Sequence, residues 1–344
     1  MAFLQFNNVR IAGFSAGVPK NVVKTKSRNP KYTDEEFVDS VGVKEKRIDD
    51  VSATSDCCYY AAEQLLSDLN WEKDSVEAVV FVSQFRDYIL PATACILQNR
   101  LGLCKECSAM DISLGCSGFV YGLGIAKGFI ESGQAKNVLL ITAETYSKHI
   151  HPQDHSTAPL FGDGASAVWI EGLESETSGI RALHYGTDGS GAENLIVPVG
   201  GMRNPYGVDK KETTDQYNNI RDNYHLQMVG SAISEFSLEV VPETLQNVLA
   251  EAGLAKEDVD YYVFHQANNF MLKYLQQKCD LLDVPYWNDV AEYGNTVSSS
   301  IPIALEDMLK ANPDKHLQNV VIMGFGVGLS WAGGVIDLTK VKYL

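Results

Sequence analysis

Positive charge is scarce in this chain of 344 residues. Lys and Arg number 28 against 44 Asp and Glu, a formal net charge of −16. Nucleic acids and anionic membranes are held largely through cation–phosphate contacts, so neither is an expected partner. No run approaches the roughly 18 consecutive apolar residues of a membrane-spanning helix. The N-terminal MAFLQFNNVRIAG lacks the basic and apolar regions of a secretory signal, and a cytoplasmic location is expected. Cysteine is sparse and odd in number, seven in all. Without a secretory signal these read as free thiols in a reducing compartment, with at least one a candidate reactive thiol. Zinc spacing is missing as well. Cys104 and Cys107 form a lone pair of the CxxC type, and His149, His151 and His155 read as a solvated loop. No metal and no cofactor is expected.

What is present is an alternation of apolar runs and helical patterns. Strands are expected at 9–14, 78–83, 138–142, 165–170, 261–264, 320–323 and 333–338. Helices are expected at 55–70, 116–132, 230–252, 269–279 and 298–311. Strands alternating with helices argue for an α/β fold with a mostly parallel sheet. The strands are near-continuous apolar runs, which suits a sheet covered on both faces. The order of elements repeats after about 180 residues. Phe81 answers Phe264, Gly115-Cys116 answers Gly294-Asn295, and Asn137 answers Asn319. These matches divide the chain into a half at 1–175, a polar connecting or cover region at 176–228, and a second half at 229–344.

Three positions carry chemistry. Cys116, in DISLGCSGF, sits where a strand runs into a helix. The helix dipole and first-turn N–H groups are expected to lower its thiol pKa from about 8.5. His265 and Asn295 also lie before helices, at the carboxyl ends of strands where open α/β sheets place their sites. The repeat puts Cys116 and Asn295 at equivalent points of the two halves. A Cys–His–Asn set suits acyl transfer. The glycine-rich 324–334 stretch enters a strand and not a helix, which excludes a dinucleotide motif and suits an oxyanion hole.

DISLGCSGF, FGDGASA, FHQAN, YGNTVSSSIPIAL and GFGVGLSW, in this order, resemble the β-ketoacyl-ACP synthase III family of the thiolase superfamily. The Cys–His–Asn set alone would also allow a type III polyketide synthase. The resemblance implies a five-layered αβαβα thiolase fold built from two duplicated halves, and a homodimer. It also implies an acyltransferase of fatty-acid or specialised polyketide biosynthesis that works without a cofactor. An acyl primer on Cys116 would condense with a malonyl thioester, with loss of carbon dioxide. Backbone N–H groups of Cys116 and Val327 would form the oxyanion hole, and His265 and Asn295 would hold the enolate. The alternative is an acyltransferase that passes the Cys116-bound group to an amine, alcohol or other nucleophile without decarboxylation. The substrate carrier would be acyl carrier protein or coenzyme A. Glu36, Ser40, His155 and Phe270 stand where fatty-acid members commonly carry the Trp and Arg residues that grip coenzyme A. Poor use of free acyl-coenzyme A is therefore expected.

Overall fold

The computed structural model describes residues 8–27, 31–173, 178–216 and 218–343. Two sheets organise it. The first runs in the order Lys342–Tyr343, Asn8–Gly17, Gly164–Leu173, Asn137–Glu144, Ala78–Val82, Ser108–Ile112. The second runs Ile180–Thr187, Ser330–Ile336, Val320–Gly326, Tyr261–Phe264, Tyr286–Trp287. From Asn8–Gly17 onward the first sheet pairs antiparallel, antiparallel, parallel, parallel. The second sheet repeats that pattern strand for strand.

The repeat reaches individual hydrogen bonds. Asp260 accepts the backbone N–H groups of Gln318 and Asn319 at 2.8 and 2.7 Å, and the Asn319 amide donates to the Asp258 carbonyl. In the first half Glu77 accepts from the N–H groups of Lys136 and Asn137, and the Asn137 amide donates to the Ser75 carbonyl. An acid and an asparagine thus lock the same two neighbouring strands together in each half. The Asn137/Asn319 and Phe81/Phe264 matches hold in this register, since Phe81 pairs with Ile141 and Phe264 with Met323.

Strand alternation builds the layers. Val80 and Val82 face one way and Val79 and Phe81 the other, and every one of them is buried. Helices Thr54–Asp68 and Thr93–Arg100 cover the outer face of the first sheet. Helices Gly230–Ala252 and Asn269–Lys278 cover the outer side of the second. Between the sheets lie Gly118–Glu131 and Ser300–Ala311, which touch strands of both. The result is the five-layered αβαβα arrangement. Glycine lets the central helix approach closely: a Cβ at position 122 would fall 2.6 Å from Leu140, and one at 124 would strike the Tyr185 hydroxyl on the opposite sheet.

The division at 176–228 needs correction. Ile180–Thr187 lies inside the expected connecting region, yet it is the edge strand of the second sheet. Its half-buried Arg181 and His184 and its exposed Tyr185 hide the apolar signature of the other strands. Lys342–Tyr343, at the far end of the second half, joins the first sheet beside Asn8–Gly17. The remainder of 186–228 is a cover. Its hairpin Glu212–Thr214 and Ile220–Asp222 is tied down by Arg221, which donates to Asp154 at 2.8 Å. Among the described residues no helix is long and apolar enough to cross a membrane.

Phe119 is fully buried in the central layer. Phe119→Ala should lower the unfolding free energy by about 3–5 kcal/mol, because a cavity there is fenced by two sheets that cannot collapse independently. Equilibrium denaturation in urea measures it.

Candidate active site

Cys116 lies two residues before the helix Gly118–Glu131 and is 6% exposed. Its sulfur meets the other half of the chain. A Cβ at Gly326 would fall 2.8 Å from Sγ, so only glycine fits at the end of the strand Val320–Gly326. The backbone N–H groups of the next residue, Val327, and of Cys116 itself act electrostatically to favour the thiolate. The adjoining Ser117 hydroxyl bonds Ser330 Oγ at 2.7 Å, and Ser330 Oγ donates to the Val327 carbonyl. This chain of hydroxyls fixes the Val327 N–H relative to the thiol.

The electrostatics differ from the sequence expectation. Burial pushes the Cys116 thiol up to about 12; the Val327 and Cys116 N–H groups pull it down, and the charge of Glu144 pushes it up again. The N–H groups that favour the thiolate are those of Val327 and Cys116, not those of the first turn of the following helix. Desolvation of a thiolate in this apolar setting outweighs two N–H groups. The resting thiol is neutral.

His265 directly follows the strand Tyr261–Phe264 and is 1% exposed. Burial alone drops its pKa to about 3, so the ring is neutral. Its Nδ1 lies 2.6 Å from Ser300 Oγ, which also accepts the Gln266 N–H at 3.4 Å. In the tautomer with its proton on Nε2, Nδ1 accepts the Ser300 hydroxyl and Nε2–H is a donor. The ring stands edge-on to Phe325, the neighbour of Gly326.

Asn295 precedes the other central helix. Its backbone pairs with Phe161, donating to Leu160 and accepting from Gly162. Its Oδ1 accepts the Val297 N–H at 2.9 Å, which makes the amide NH₂ its donor end. Val297 is held at a φ of 54°. That conformation costs a β-branched residue about 1–3 kcal/mol, which the Asn295 bond helps to offset. Val297, Phe161, Val327 and Cys116 belong to one apolar cluster, so both halves converge on the thiol. Leu195 and Leu226 of the cover region close it.

A cleft of about 1640 Å³ adjoins this cluster at Ile150 and Ala158. Glu36, Ser40 and His155 line it, whereas Phe270 is 64% exposed and packs on Tyr274 instead. The Glu36 carboxylate is engaged in a capping box with Thr33, whose N–H it accepts at 2.8 Å. Cations are missing from the expected positions, but Lys24, Lys26, Lys31 and Lys46 line the cleft elsewhere. Of three other basic residues, Lys148 donates to the Ser52 carbonyl and Arg203 is exposed. The third, Arg28, lies outside the described residues. Burial lowers Lys46 to about 8, against the pull of the Asp163 charge.

The histidine trio is scattered in role. His149 stacks on Phe85 at 3.7 Å, and His151 lies 3.9 Å from the buried Asp222. Among the described residues no group of three His, Cys, Asp or Glu is arranged for a metal. Sequence reading missed Gln84, Glu144 and Ser300, which bear on the site through partners distant in sequence. For Glu144 a local signal existed: an acid closes the otherwise apolar strand NVLLITAE.

Known proteins agree with this arrangement. Models of 3-oxoacyl-[acyl-carrier-protein] synthase III match residues 110–189, and of its C-terminal part residues 249–338. The β-ketoacyl-[acyl-carrier-protein] synthase III of Clostridioides difficile is 38% identical, over 89% of this chain and 91% of its own. That of Caldanaerobacter subterraneus subsp. tengcongensis is 36% identical, over 90% of each chain. A crystal structure of a 3-oxoacyl-(acyl-carrier-protein) synthase III superposes with a TM-score of 0.91 at 39% identity, over 96% of this chain and 99% of that one. With its two duplicated sheets and a buried cysteine pressed between them, the chain belongs to the β-ketoacyl-ACP synthase III family of condensing acyltransferases.

Proposed function

We propose that the chain condenses an acyl primer, carried on Cys116, with a malonyl thioester. The observation that carries this reading is the pair of N–H groups, of Val327 and Cys116, that favour the thiolate of a buried thiol. In the first stage the Cys116 sulfur attacks a primer thioester. The carbonyl oxygen takes the negative charge and the two N–H groups hold it. The carrier thiol leaves with the proton, and the acyl group stays on sulfur. In the second stage malonyl thioester loses carbon dioxide, and the electron pair passes to its thioester oxygen as an enolate. His265 Nε2–H and the Asn295 amide are the donors for that oxygen, each worth roughly 3–4 kcal/mol where charge develops. The enolate carbon attacks the acyl carbonyl, and Cys116 departs as thiolate and regains a proton. The neutral, Nε2-protonated state of His265 supports a donor role over that of base.

Either carrier offers a phosphate on the pantetheine arm. The exposed Lys24, Lys26 and Lys31 of the cleft support phosphate contact, and Glu36 opposes it. A second copy of the chain is supported by two features. Tyr88, Ile89 and Leu90 form an exposed apolar loop, and Ser108–Ile112 is an edge strand of the first sheet.

Cys116→Ala tests the first stage. The variant should fold normally and take no labelled acyl group from primer thioester; label on the variant at the wild-type level would remove Cys116 from the mechanism. If carbon dioxide is not released while acyl transfer to another nucleophile proceeds, the non-decarboxylating acyltransferase is the correct reading.

His265→Ala and Asn295→Ala should each slow decarboxylation by about 10²–10³-fold, the cost of losing one oxyanion donor. Primer transfer should fall far less. The two half-reactions, followed separately by carbon dioxide release and by acyl-Cys116 mass, distinguish this from a base role, which would cost both equally.

Reversal of charge at Lys24 and Lys26 together should raise KM for the thioester by about tenfold, or 1.4 kcal/mol, with kcat nearly constant. The effect should shrink at high salt. Steady-state kinetics with matched coenzyme A and carrier-protein thioesters also shows which carrier depends on the lysines.

A further inference from the structure

We propose that Glu144 is a positioning residue of this site: it joins the loop after Ala78–Val82 to the turn after Asn295, and its charge governs how readily Cys116 ionises. The proposal rests on Cys116 being the nucleophile.

Glu144 closes the strand Asn137–Glu144 and is completely buried. Its Oε1 accepts from Ser298 Oγ at 3.1 Å and from the Gln84 N–H at 3.2 Å. Its Oε2 lies 3.3 Å from Ser83 Oγ and 3.3 Å from the same N–H. Three donors from two distant segments therefore meet on one carboxyl. Those segments bound the thiol: the Gln84 side chain sits against Gly115, and Ser298 follows Asn295 by three residues. Removing the carboxyl would release both at once.

The surroundings accept either charge state. Ser83 Oγ also lies 3.3 Å from the Phe85 carbonyl and accepts the Phe85 N–H at 3.1 Å. When Glu144 is ionised, Ser83 donates to it. When Glu144 is protonated, its O–H donates to Ser83 Oγ, and Ser83 turns its own proton to the Phe85 carbonyl. The carboxyl need not move between the two states.

The charge itself is felt by the thiol. Titratable groups that act on one another here are Cys116, before the central helix, Tyr146, in the turn after Glu144, and Asp163, before the strand Gly164–Leu173. The segments at 83–84 and 298 contribute only hydroxyl and amide donors. Burial is the main reason that Glu144 keeps its proton up to about 8; the Gln84, Ser298 and Ser83 bonds oppose that, and the Asp163 charge assists it. With His265 neutral, thiolate and carboxylate would be two like charges in one dry site. One of them is favoured to carry the proton.

The sign follows. Below neutral pH Glu144 is protonated and leaves the thiol alone. Above about 8 it ionises and holds the thiol back. The test is the rate of Cys116 alkylation by iodoacetamide, read by peptide mass against pH, for wild type and Glu144→Gln. Glutamine retains one acceptor for Gln84 and Ser298, and its NH₂ meets Ser83, as the protonated acid does. The two profiles should coincide below about pH 7 and diverge above 8. The glutamine variant should be about tenfold faster near pH 9.5, equivalent to one pKa unit. Glu144→Asp, which retains charge but loses reach, should keep the wild-type shape of the profile and lower kcat more than it raises KM. Parallel profiles for wild type and glutamine, in enzyme that still forms acyl-Cys116, would overturn this proposal alone. Absence of acyl-Cys116 in the wild type would instead overturn the reading beneath it.

Discussion

The contact between Cys116 Sγ and Gly326 is the constraint on which the rest of the site depends. The sulfur belongs to the first half and the glycine to the second. For the two to meet, the sheets must sit at one spacing, and the central helices must lie flat between them. That spacing is set by glycine again, at 122 against the first sheet and at 124 against the second. With the halves so pressed together, Val327, in the turn between Val320–Gly326 and Ser330–Ile336, is held beside the thiol. The proposed oxyanion hole thus depends on inter-sheet packing. Close-packed interiors move as units, which is what preorganised donors require.

Dryness is the second consequence. Cys116, His265 and Glu144 are all buried, and burial moves each toward its uncharged form. A resting site without charge suits an enzyme whose intermediates bring their own, first an oxyanion and then an enolate. Fixed dipoles answer those charges without a counter-ion that would have to be reorganised. Charge is kept outside, in the lysines of the cleft, where it can meet a carrier without disturbing the thiol.

Much of this was legible in the chain. Tyr261–Phe264 and Gly230–Ala252 were readable to the residue, because an unbroken apolar run and a long amphipathic repeat leave little choice of period. Cys116 and His265 were readable because each follows a strand and precedes a helix; Asn295 precedes a helix too, but it follows the short helix Val290–Tyr293 and not the expected strand. Edge elements were harder. Ser108–Ile112 and Ile180–Thr187 have one unpaired side and half-buried residues, so their sequences look like loops. The helix Asp34–Val41 has no buried residue, and its only signature is the Thr33–Glu36 capping box. The strand expected at 333–338 runs from Ser330 to Ile336, since Gly333 and Gly334 sit inside it against Met323 and Leu183. The neutral thiol was not legible at all. Its cause is burial by residues from both halves and the cover, and a reading of local spacing sees only the nearby helix.

The central claim is that one buried thiol, served by both halves, carries the acyl group between two thioesters. A single-turnover measurement on the wild-type protein tests it most directly. Primer thioester is added first, excess primer is removed, malonyl thioester follows, and acyl-Cys116 and carbon dioxide are counted in the same sample. The account predicts one acyl group on Cys116 and nowhere else, discharged with one carbon dioxide for each group lost. An acyl group on another residue, or discharge of acyl-Cys116 by malonyl thioester without carbon dioxide, would contradict it.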